Sequence, residues 1–215
     1  MLDPLTPSVL SFDFDRDLLE SMKRSNLPEF KVYPFPFKAI VAGQGSNLAE
    51  EIKLSLCRED KIPVYRRMGG GCSVFLDPGN LIVSIAFPAQ GFSGIQRLFN
   101  QCNGLLIRGF NSLGLTGLYQ DGISDLVMDN RKVGGASFYR TKGFGYYAAA
   151  ILVSPDLSLM EKYLHHPPRQ PAYRRNRPHR EFVTRLDRFL KGVAMTELAG
   201  GLRKILGLGQ TGFHL

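Results

Sequence analysis

The fold is indicated first by residues 62–80, which read IPVYRRMGGGCSVFLDPGN. An apolar run leads into two arginines and three glycines, and a second apolar run ends in a Pro-Gly turn. The arginines and glycines are Arg66, Arg67, Gly69, Gly70 and Gly71. The order predicts a strand, a glycine loop (residues 69–71), a second strand paired with the first, and a third strand beyond the turn. Glycine permits φ > 0 and uncovers main-chain N–H groups, so the adjacent arginines favour a phosphate or carboxylate site over a plain flexible turn.

A second glycine-flanked basic element follows about sixty residues later, where residues 125–136 read DLVMDNRKVGGA. The pair Asp129-Asn130 is typical of a two-residue turn and predicts a β-hairpin. Side chains alternate along the returning strand, so Arg131 and Lys132 are expected on opposite faces. The small residues after them leave the strand open to a ligand, beside which Lys132 would stabilise developing negative charge. These small residues are Gly134, Gly135 and Ala136.

Together, these elements resemble the lipoate-protein ligases, which share a superfamily with biotin ligases and octanoyl transferases. Residues 63–81 resemble their arginine and triple-glycine signature, and residues 125–136 their Asn-Asp-Leu hairpin and Lys-x-x-Gly strand. Residues 31–44 look like the opening strands of that fold, and residues 169–182 are similar to a tail segment of one branch of these ligases. The matches occur in the family's order over most of the chain.

The resemblance implies an activity in two steps. Lipoate or octanoate would react with ATP, in the presence of Mg²⁺, to give an acyl-adenylate and pyrophosphate. The acyl group would then pass to a lysine of a lipoyl domain, either of a 2-oxoacid dehydrogenase or of a glycine-cleavage H-type protein. An accessory subunit is a further expected partner, because many bacterial ligases carry a C-terminal domain for which this chain stops too early.

The resemblance also implies roles for individual residues. Lys132 matches the catalytic lysine of the site, Arg66 the arginine that meets the acyl-adenylate, and Asp125 the aspartate of the hairpin. The glycine loop matches the main-chain cradle, and the further expected adenylate contacts are Arg67, Gly134, Gly135 and Ala136. This interpretation requires the cationic groups of Arg66 and Lys132 to converge on one crevice.

Several positions depart from the family pattern. Met68 stands where many relatives have serine, Leu76 where they usually have histidine, and Tyr146-Tyr147 in the place of a His-His element. Two alternatives therefore stay open. One is an octanoyl or lipoyl transferase that works without ATP, for which Cys72 is the candidate nucleophile. The other is a non-catalytic relative that binds an acyl group or a lipoyl domain.

The pattern of apolar runs predicts an α+β fold with a mixed, largely antiparallel sheet backed by helices, as in the class II biotin and lipoate ligases that the motifs resemble. Helices are expected near residues 15–24, 47–59 and 93–113 and from about 156, 181 and 195. We expect residues 1–215 to form a single catalytic domain, with an arginine- and proline-rich segment and C-terminal helices over 165–215.

Composition and charge narrow the class of protein. The sequence contains no stretch of about 20 apolar residues and no basic leader, which predicts a cytoplasmic protein without a membrane partner. The three cysteines lack metal-ligand spacing, so no metal site is expected. Residues 1–60 carry seven Lys and Arg against ten Asp and Glu, and the remainder carries twenty against nine. This basic part predicts an acidic partner such as a lipoyl domain, whereas the scarcity of aromatic residues near its arginines argues against nucleic acid.

Overall fold

The computed structural model describes residues 8–89, 94–190 and 192–208. In chain order its strands are β1 (Val9–Ser11), β2 (Glu29–Pro34), β3 (Ala39–Ala42), β4 (Val64–Arg66), β5 (Val74–Leu76), β6 (Asn80–Pro88), β7 (Tyr119–Asp121), β8 (Asp125–Met128), β9 (Arg131–Arg140) and β10 (Phe144–Leu152). Its helices are α1 (Arg16–Ser25), α2 (Leu48–Glu51), α3 (Leu54–Glu59), α4 (Ile95–Ser112), α5 (Ser158–Tyr163), α6 (His179–Phe182) and α7 (Met195–Leu208). This is the predicted α+β class.

The larger sheet has six strands in the order β2-β6-β10-β9-β8-β7, and every neighbouring pair is antiparallel. The hairpin between β8 and β9 turns at Asp129 and Asn130, whose φ angles of 48° and 55° fit the two-residue turn predicted from the sequence. One face of this sheet is covered by α4 and α7. Both strands of this hairpin therefore have a paired neighbour on each side within the sheet.

The smaller sheet has four strands in the order β1-β4-β3-β5. Strand β4 lies parallel to both β1 and β3, and β5 lies antiparallel to β3. The expectation that the glycine loop joins two paired strands is wrong, because β3 lies between β4 and β5. The glycine loop consequently crosses the end of β3, next to the turn that follows that strand.

The helix expected over residues 47–59 is two short helices in the structure. Ile52 separates them with extended backbone (φ −130°, ψ 135°) and forms an isolated antiparallel bridge with Leu164. The side chain of Ile52 is buried against the smaller sheet. A tertiary contact thus overrides a continuous helical pattern. The expected start of α4 at Ser93 lies outside the described residues.

The main core fills the space between the six-stranded sheet and helices α4 and α7. Its fully buried members include Val83 and Ile85 from β6, Phe110 from α4 and Leu202 from α7. Burial of this apolar surface is the main stabilising contribution to a fold of this kind. Lys132 and Asp125 lie on the opposite face of the sheet, which elsewhere packs against α1 and the smaller sheet.

We expect Leu202→Ala to lower the free energy of unfolding by about 2–5 kcal/mol, because it leaves a cavity where a fully buried side chain contacts α4. Lys204→Ala, on the exposed face of the same helix, is the matched control and should leave stability nearly unchanged. Chemical denaturation followed by circular dichroism measures both. Equal, small effects of the two substitutions would contradict the packing of α7 described above.

Candidate functional site

A β-bulge in β9 sets the direction in which Lys132 points. Leu126 pairs with Gly134, whereas Val127 pairs with Lys132, so Val133 is an extra residue on β9. Val133 packs into the main core with Leu126. The extra residue therefore places Lys132 on the same face as Asp125 and Gly135, although Lys132 and Gly135 are three positions apart.

Lys132 and Asp125 form an ion pair on this face, with Nζ 2.7 Å from Oδ1. The Asp125 side chain is 10% exposed and that of Lys132 28% exposed. The hydroxyl of Tyr173 donates to the other carboxylate oxygen at 2.9 Å. Burial and the Asp125 charge raise the pKa of Tyr173 well above its usual value, so the phenol stays protonated and acts as the donor. Both oxygens of Asp125 are thus engaged, and the ammonium of Lys132 is held in one place.

The two glycines of β9 have different neighbours. A Cβ added at Gly135 would lie 2.7 Å from Nζ and 2.8 Å from Cε of Lys132. A Cβ added at Gly134 would lie 2.9 Å from Cδ1 of Ile151 and 3.2 Å from the carbonyl oxygen of Ala150. The absence of a side chain at Gly135 therefore leaves space for the end of the Lys132 side chain. The absence of one at Gly134 leaves space for Ile151 and the backbone of β10 in the core. Main-chain contact between a ligand and Gly134, Gly135 or Ala136 stays a prediction.

The glycine loop is held in shape by Arg67. Its Nη2 donates to the carbonyls of Gly70 (2.7 Å) and Cys72 (3.0 Å), and its Nη1 donates to that of Val41 (2.9 Å). Gly71 has φ +92°, a conformation that side chains strongly disfavour. Burial lowers the pKa of Arg67 to about 10, which leaves the guanidinium charged at neutral pH. Arg67 therefore fixes the conformation of the glycine loop and places a positive charge next to it.

Arg66 fixes the turn beside the glycine loop. Its Nη1 donates to the carbonyls of Gly43 (2.8 Å), Gln44 (3.0 Å) and Ser46 (3.3 Å). A Cβ added at Gly43 would lie 2.0 Å from the carbonyl oxygen of Gly71, so the turn and the loop lie in direct contact. Arg66 therefore supports the loop from one side. Its convergence with Lys132 stays a prediction.

The arginine-rich segment (residues 165–190) contacts both halves of the candidate site, which are the glycine loop and the ion pair of Lys132 with Asp125. The sulfur of Cys72 lies 3.8 Å from the carbonyl oxygen of Arg169, at the end of the glycine loop. Four residues later, Tyr173 contacts Asp125. The segment then runs along β9, where the amide of Thr184 donates to the carbonyl of Lys132 at 2.9 Å. The arginine-rich segment therefore contacts both the end of the glycine loop and the strand that carries Lys132.

Sequence reasoning missed Tyr173 as a site residue. It is 48 positions from Asp125, and its only signal was its place as an aromatic residue in a run of arginines and prolines. A lone tyrosine in such a run is ordinarily a surface residue, and no local spacing connects it to a hairpin aspartate. Only the path of the chain shows the contact.

The tyrosines in the place of the family's His-His element are both buried. The hydroxyl of Tyr147 donates to the side-chain oxygen of Asn103 on α4, inside the main core. The hydroxyl of Tyr146 donates to Asp15, which also accepts a hydrogen bond from Ser84. Met68 packs against the apolar cluster that contains Tyr146. These departures thus lie in two different clusters on the two faces of the sheet, and both tyrosine hydroxyls have protein partners.

The three cysteines have different surroundings. Cys57 and Cys102 are fully buried in helices, and burial raises the pKa of the Cys57 thiol to about 11 and that of Cys102 also upward. Cys72 is half-buried beside the glycine loop. Cys72 is accordingly the best-placed of them to meet a ligand of this site.

An open cleft of about 650 Å³ is lined by residues of the β9 start, the chain after β10, helix α5 and the arginine-rich segment. Its arginines are Arg131, Arg180, Arg185 and Arg188, and its acidic residues are Asp156 and Glu161. Arg131 diverges from Lys132 as the strand alternation predicts, and its Nη2 donates to the carbonyl of Arg180 at 2.6 Å. The cleft offers more positive than negative charge at its walls.

Across residues 8–89, 94–190 and 192–208, no three or more His, Cys, Asp or Glu side chains are grouped so as to hold a metal ion. Within the same ranges, no helix has the length and apolar character needed to cross a bilayer.

Comparison with known proteins gives consistent matches. The family model described as "Lipoyl protein ligase A/B catalytic domain" matches residues 8–206. The protein named "Probable lipoate-protein ligase A" of Mycoplasma genitalium is 29% identical over 147 residues, which is 68% of this chain and 43% of that protein. The matched part of the chain thus spans less than half the length of this curated relative.

Solved structures share the fold. A bipartite lipoate protein ligase from Thermoplasma acidophilum, described with its E2 lipoyl domain, superposes with a TM-score of 0.75 at 22% identity, covering 94% of this chain and 83% of that one. A lipoate-protein ligase A bound with ATP superposes with a TM-score of 0.74 at 22% identity, covering 94% and 85%. At such low identity these likenesses establish the fold, and the expected class II catalytic-domain architecture is confirmed.

The two glycines of β9 allow a matched test of the site geometry. Gly134→Ala should lower the free energy of unfolding by about 1–3 kcal/mol, because the new methyl group enters the core against Ile151 and the backbone of β10. Gly135→Ala should cost much less, because only the flexible end of Lys132 must move. Thermal and chemical unfolding measure both. A larger loss for Gly135→Ala than for Gly134→Ala would contradict the bulge.

Proposed function

Because the chain belongs to the lipoyl protein ligase A/B catalytic domain family, we propose that it activates lipoate or octanoate with ATP and transfers the acyl group to a lysine of a lipoyl domain. The observation that carries the proposal is the fixed Lys132 ammonium, held by Asp125 at 2.7 Å and joined to the glycine loop by the arginine-rich segment. We further propose that residues 1–215 form one catalytic domain, with the segment and α7 as its C-terminal part.

In the first step, a carboxylate oxygen of the acyl substrate attacks the α-phosphorus of ATP, and pyrophosphate leaves. Negative charge builds on the phosphoryl oxygens, where pre-positioned donors give the largest rate effect. The main-chain N–H groups of the glycine loop, with Arg66 and Arg67 behind them, supply positive potential on one side. Lys132 supplies it on the other. None of these three cations has to reorganise, because hydrogen bonds already hold Arg66 and Arg67 and an ion pair already holds Lys132.

Magnesium would accompany the nucleotide. Mg²⁺ commonly binds through one or two carboxylates together with substrate phosphates, and it does not need a cage made of protein side chains. Among the described residues there is no such cage, which fits an ion carried by ATP. Bound in this way, it would neutralise charge on the departing pyrophosphate.

In the second step, the amine of the acceptor lysine attacks the acyl carbonyl, and AMP leaves. Lys132 again faces the oxygen on which charge develops, so one side chain serves both steps. Two solved proteins of the same fold, a lipoate protein ligase described with its E2 lipoyl domain and a lipoate-protein ligase A bound with ATP, support these substrates. The arginine-lined cleft, whose wall includes Arg131, would supply positive charge that attracts an acidic acceptor domain.

We expect Lys132→Ala to lower the rate of lipoate-dependent ATP–pyrophosphate exchange by about 100-fold or more, because it removes a pre-positioned cation from the transition state. Lys142→Ala, an exposed lysine on the β9–β10 turn, is the control and should keep the wild-type rate. Transfer from synthetic lipoyl-AMP to a lipoyl domain, followed by mass spectrometry, tests the second step separately. A wild-type chain that performs neither reaction would overturn the proposed function.

Cys72→Ser distinguishes ligation from a thioester mechanism. If the chain works through an acyl-adenylate, this substitution should leave both exchange and transfer within about twofold of wild type, because the thiol forms no bond in either step. The Ser variant keeps the size of the side chain beside Arg67. Loss of transfer together with an acylated Cys72 in the wild-type protein would favour the ATP-independent transferase instead.

A further inference from the structure

Arg174 is the most buried charged side chain of the arginine-rich segment, with 4% exposure. It ends the 3-10 turn Ala172–Arg174, directly after Tyr173. Arg175 and Asn176 follow with φ angles of 50° and 57°, so the chain reverses sharply at this point. The reversal directs Arg174 inward and leaves Arg175 exposed. A charged side chain in such a place requires compensation for the water that it has lost.

The Arg174 guanidinium is firmly held but incompletely satisfied. Its Nε donates to the carbonyl of Arg177 at 3.0 Å, and Nε of Arg177 donates back to the carbonyl of Arg174 at 3.1 Å. The guanidinium also stacks on Phe182, with its carbon 4.7 Å from the ring centre. Its Nη2, however, is buried without a hydrogen-bond partner. A fixed donor with an unused N–H is costly unless a ligand accepts from it.

The surroundings of Arg174 are those of the proposed site. Burial lowers its pKa, and the charges of Glu161 and Asp125 act in the opposite direction, followed by smaller effects of Tyr173 and Cys72. Asp125 holds Lys132, and Cys72 ends the glycine loop. Arg174 directly follows Tyr173, which donates to Asp125. It stacks on Phe182, the residue before the bridge of Val183 with Lys132. Arg174 therefore lies close to the ion-pair half of the site.

A neighbouring histidine is kept neutral there. Burial, with the charge of Arg174 beside it, lowers the pKa of His179 to about 4. Near neutral pH the imidazole therefore adds no charge to this interior. The Arg174 guanidinium, with its unused donor, and the Lys132 ammonium are two cationic groups of this part of the site. Such an arrangement favours an anion with several acceptor oxygens.

We propose that Arg174 is a ligand of the phosphate group of the acyl-adenylate, with its free Nη2 donating to a phosphate oxygen between the glycine loop and Lys132. The assignment rests on the proposed function and extends it by naming the residue of the arginine-rich segment that meets the nucleotide. Guanidinium suits this role because its rigid fork keeps one N–H on Arg177 while another contacts phosphate. Lysine would supply charge without that division of donors.

The test compares the binding of a phosphate-containing ligand with that of its phosphate-free part. Isothermal titration calorimetry would measure the Kd of a non-hydrolysable lipoyl-AMP analogue and of lipoate alone. Arg174→Ala should weaken the analogue by about tenfold or more and leave lipoate within about twofold. Arg174→Lys should recover part of the loss. Arg175→Ala, one position away and exposed, is the matched control and should bind both ligands as wild type does.

The outcomes separate this proposal from the proposed function. If the wild-type chain does not bind the analogue, the ligase function itself fails. If wild type binds it and Arg174→Ala binds it equally well, or weakens lipoate to the same extent, the assignment of Arg174 is overturned. A variant that raises only the KM for the lipoyl domain would overturn it too, because the residue would then serve the acceptor. Thermal unfolding checks each variant, and Arg174→Lys decides the matter if the alanine variant does not fold.

Discussion

The candidate site depends on one extra residue in β9. Without the bulge at Val133, the alternation that carries Gly134 into the core would carry Lys132 there as well, since the two are separated by an even number of positions. A lysine on that face would be buried among apolar side chains, at a large cost in free energy. The bulge allows β9 to place Val133 and Gly134 on the core face and Lys132 on the opposite face. The ion pair with Asp125 and the contact of Tyr173 follow from it.

The two halves of the candidate site come from different sheets, and the glycine-loop half is held together by side chains that donate to main-chain carbonyls. Arg66 and Arg67 between them contact carbonyls of the turn after β3, of the glycine loop and of β3 itself. The arginine-rich segment then connects the loop to Asp125. Guanidinium groups suit this task because several donors on one rigid plane contact several carbonyls at once. The guanidinium groups that hold these main-chain segments in place also carry positive charge, which favours a phosphate ligand.

The parts of this arrangement that are local in sequence could be predicted from the sequence. Asp129-Asn130 specifies its own turn, and the glycine loop follows from residues that are adjacent in the chain. The bulge could not be predicted, because residues 131–136 are compatible with regular alternation and only the competition between core and solvent decides against it. The break at Ile52 depends on Leu164, and the hydrogen bond of Tyr173 on Asp125, both remote in the chain. The sequence therefore singles out Lys132 as a candidate, whereas the contacts that hold its ammonium depend on residues remote in the chain.

The buried tyrosines show how a motif position can change without disturbing the charged groups. Each hydroxyl is satisfied by its own buried acceptor, Asn103 for Tyr147 and Asp15 for Tyr146. A buried phenol without such an acceptor would cost about 1–3 kcal/mol, so the aromatic residues and their partners form units that substitute together. The Tyr147 unit lies in the main core and the Tyr146 unit in the cluster that Met68 joins, whereas Lys132 and Asp125 take their position from the bulge and the segment. A change in the interior can thus leave the Lys132–Asp125 ion pair and its contact with Tyr173 in place.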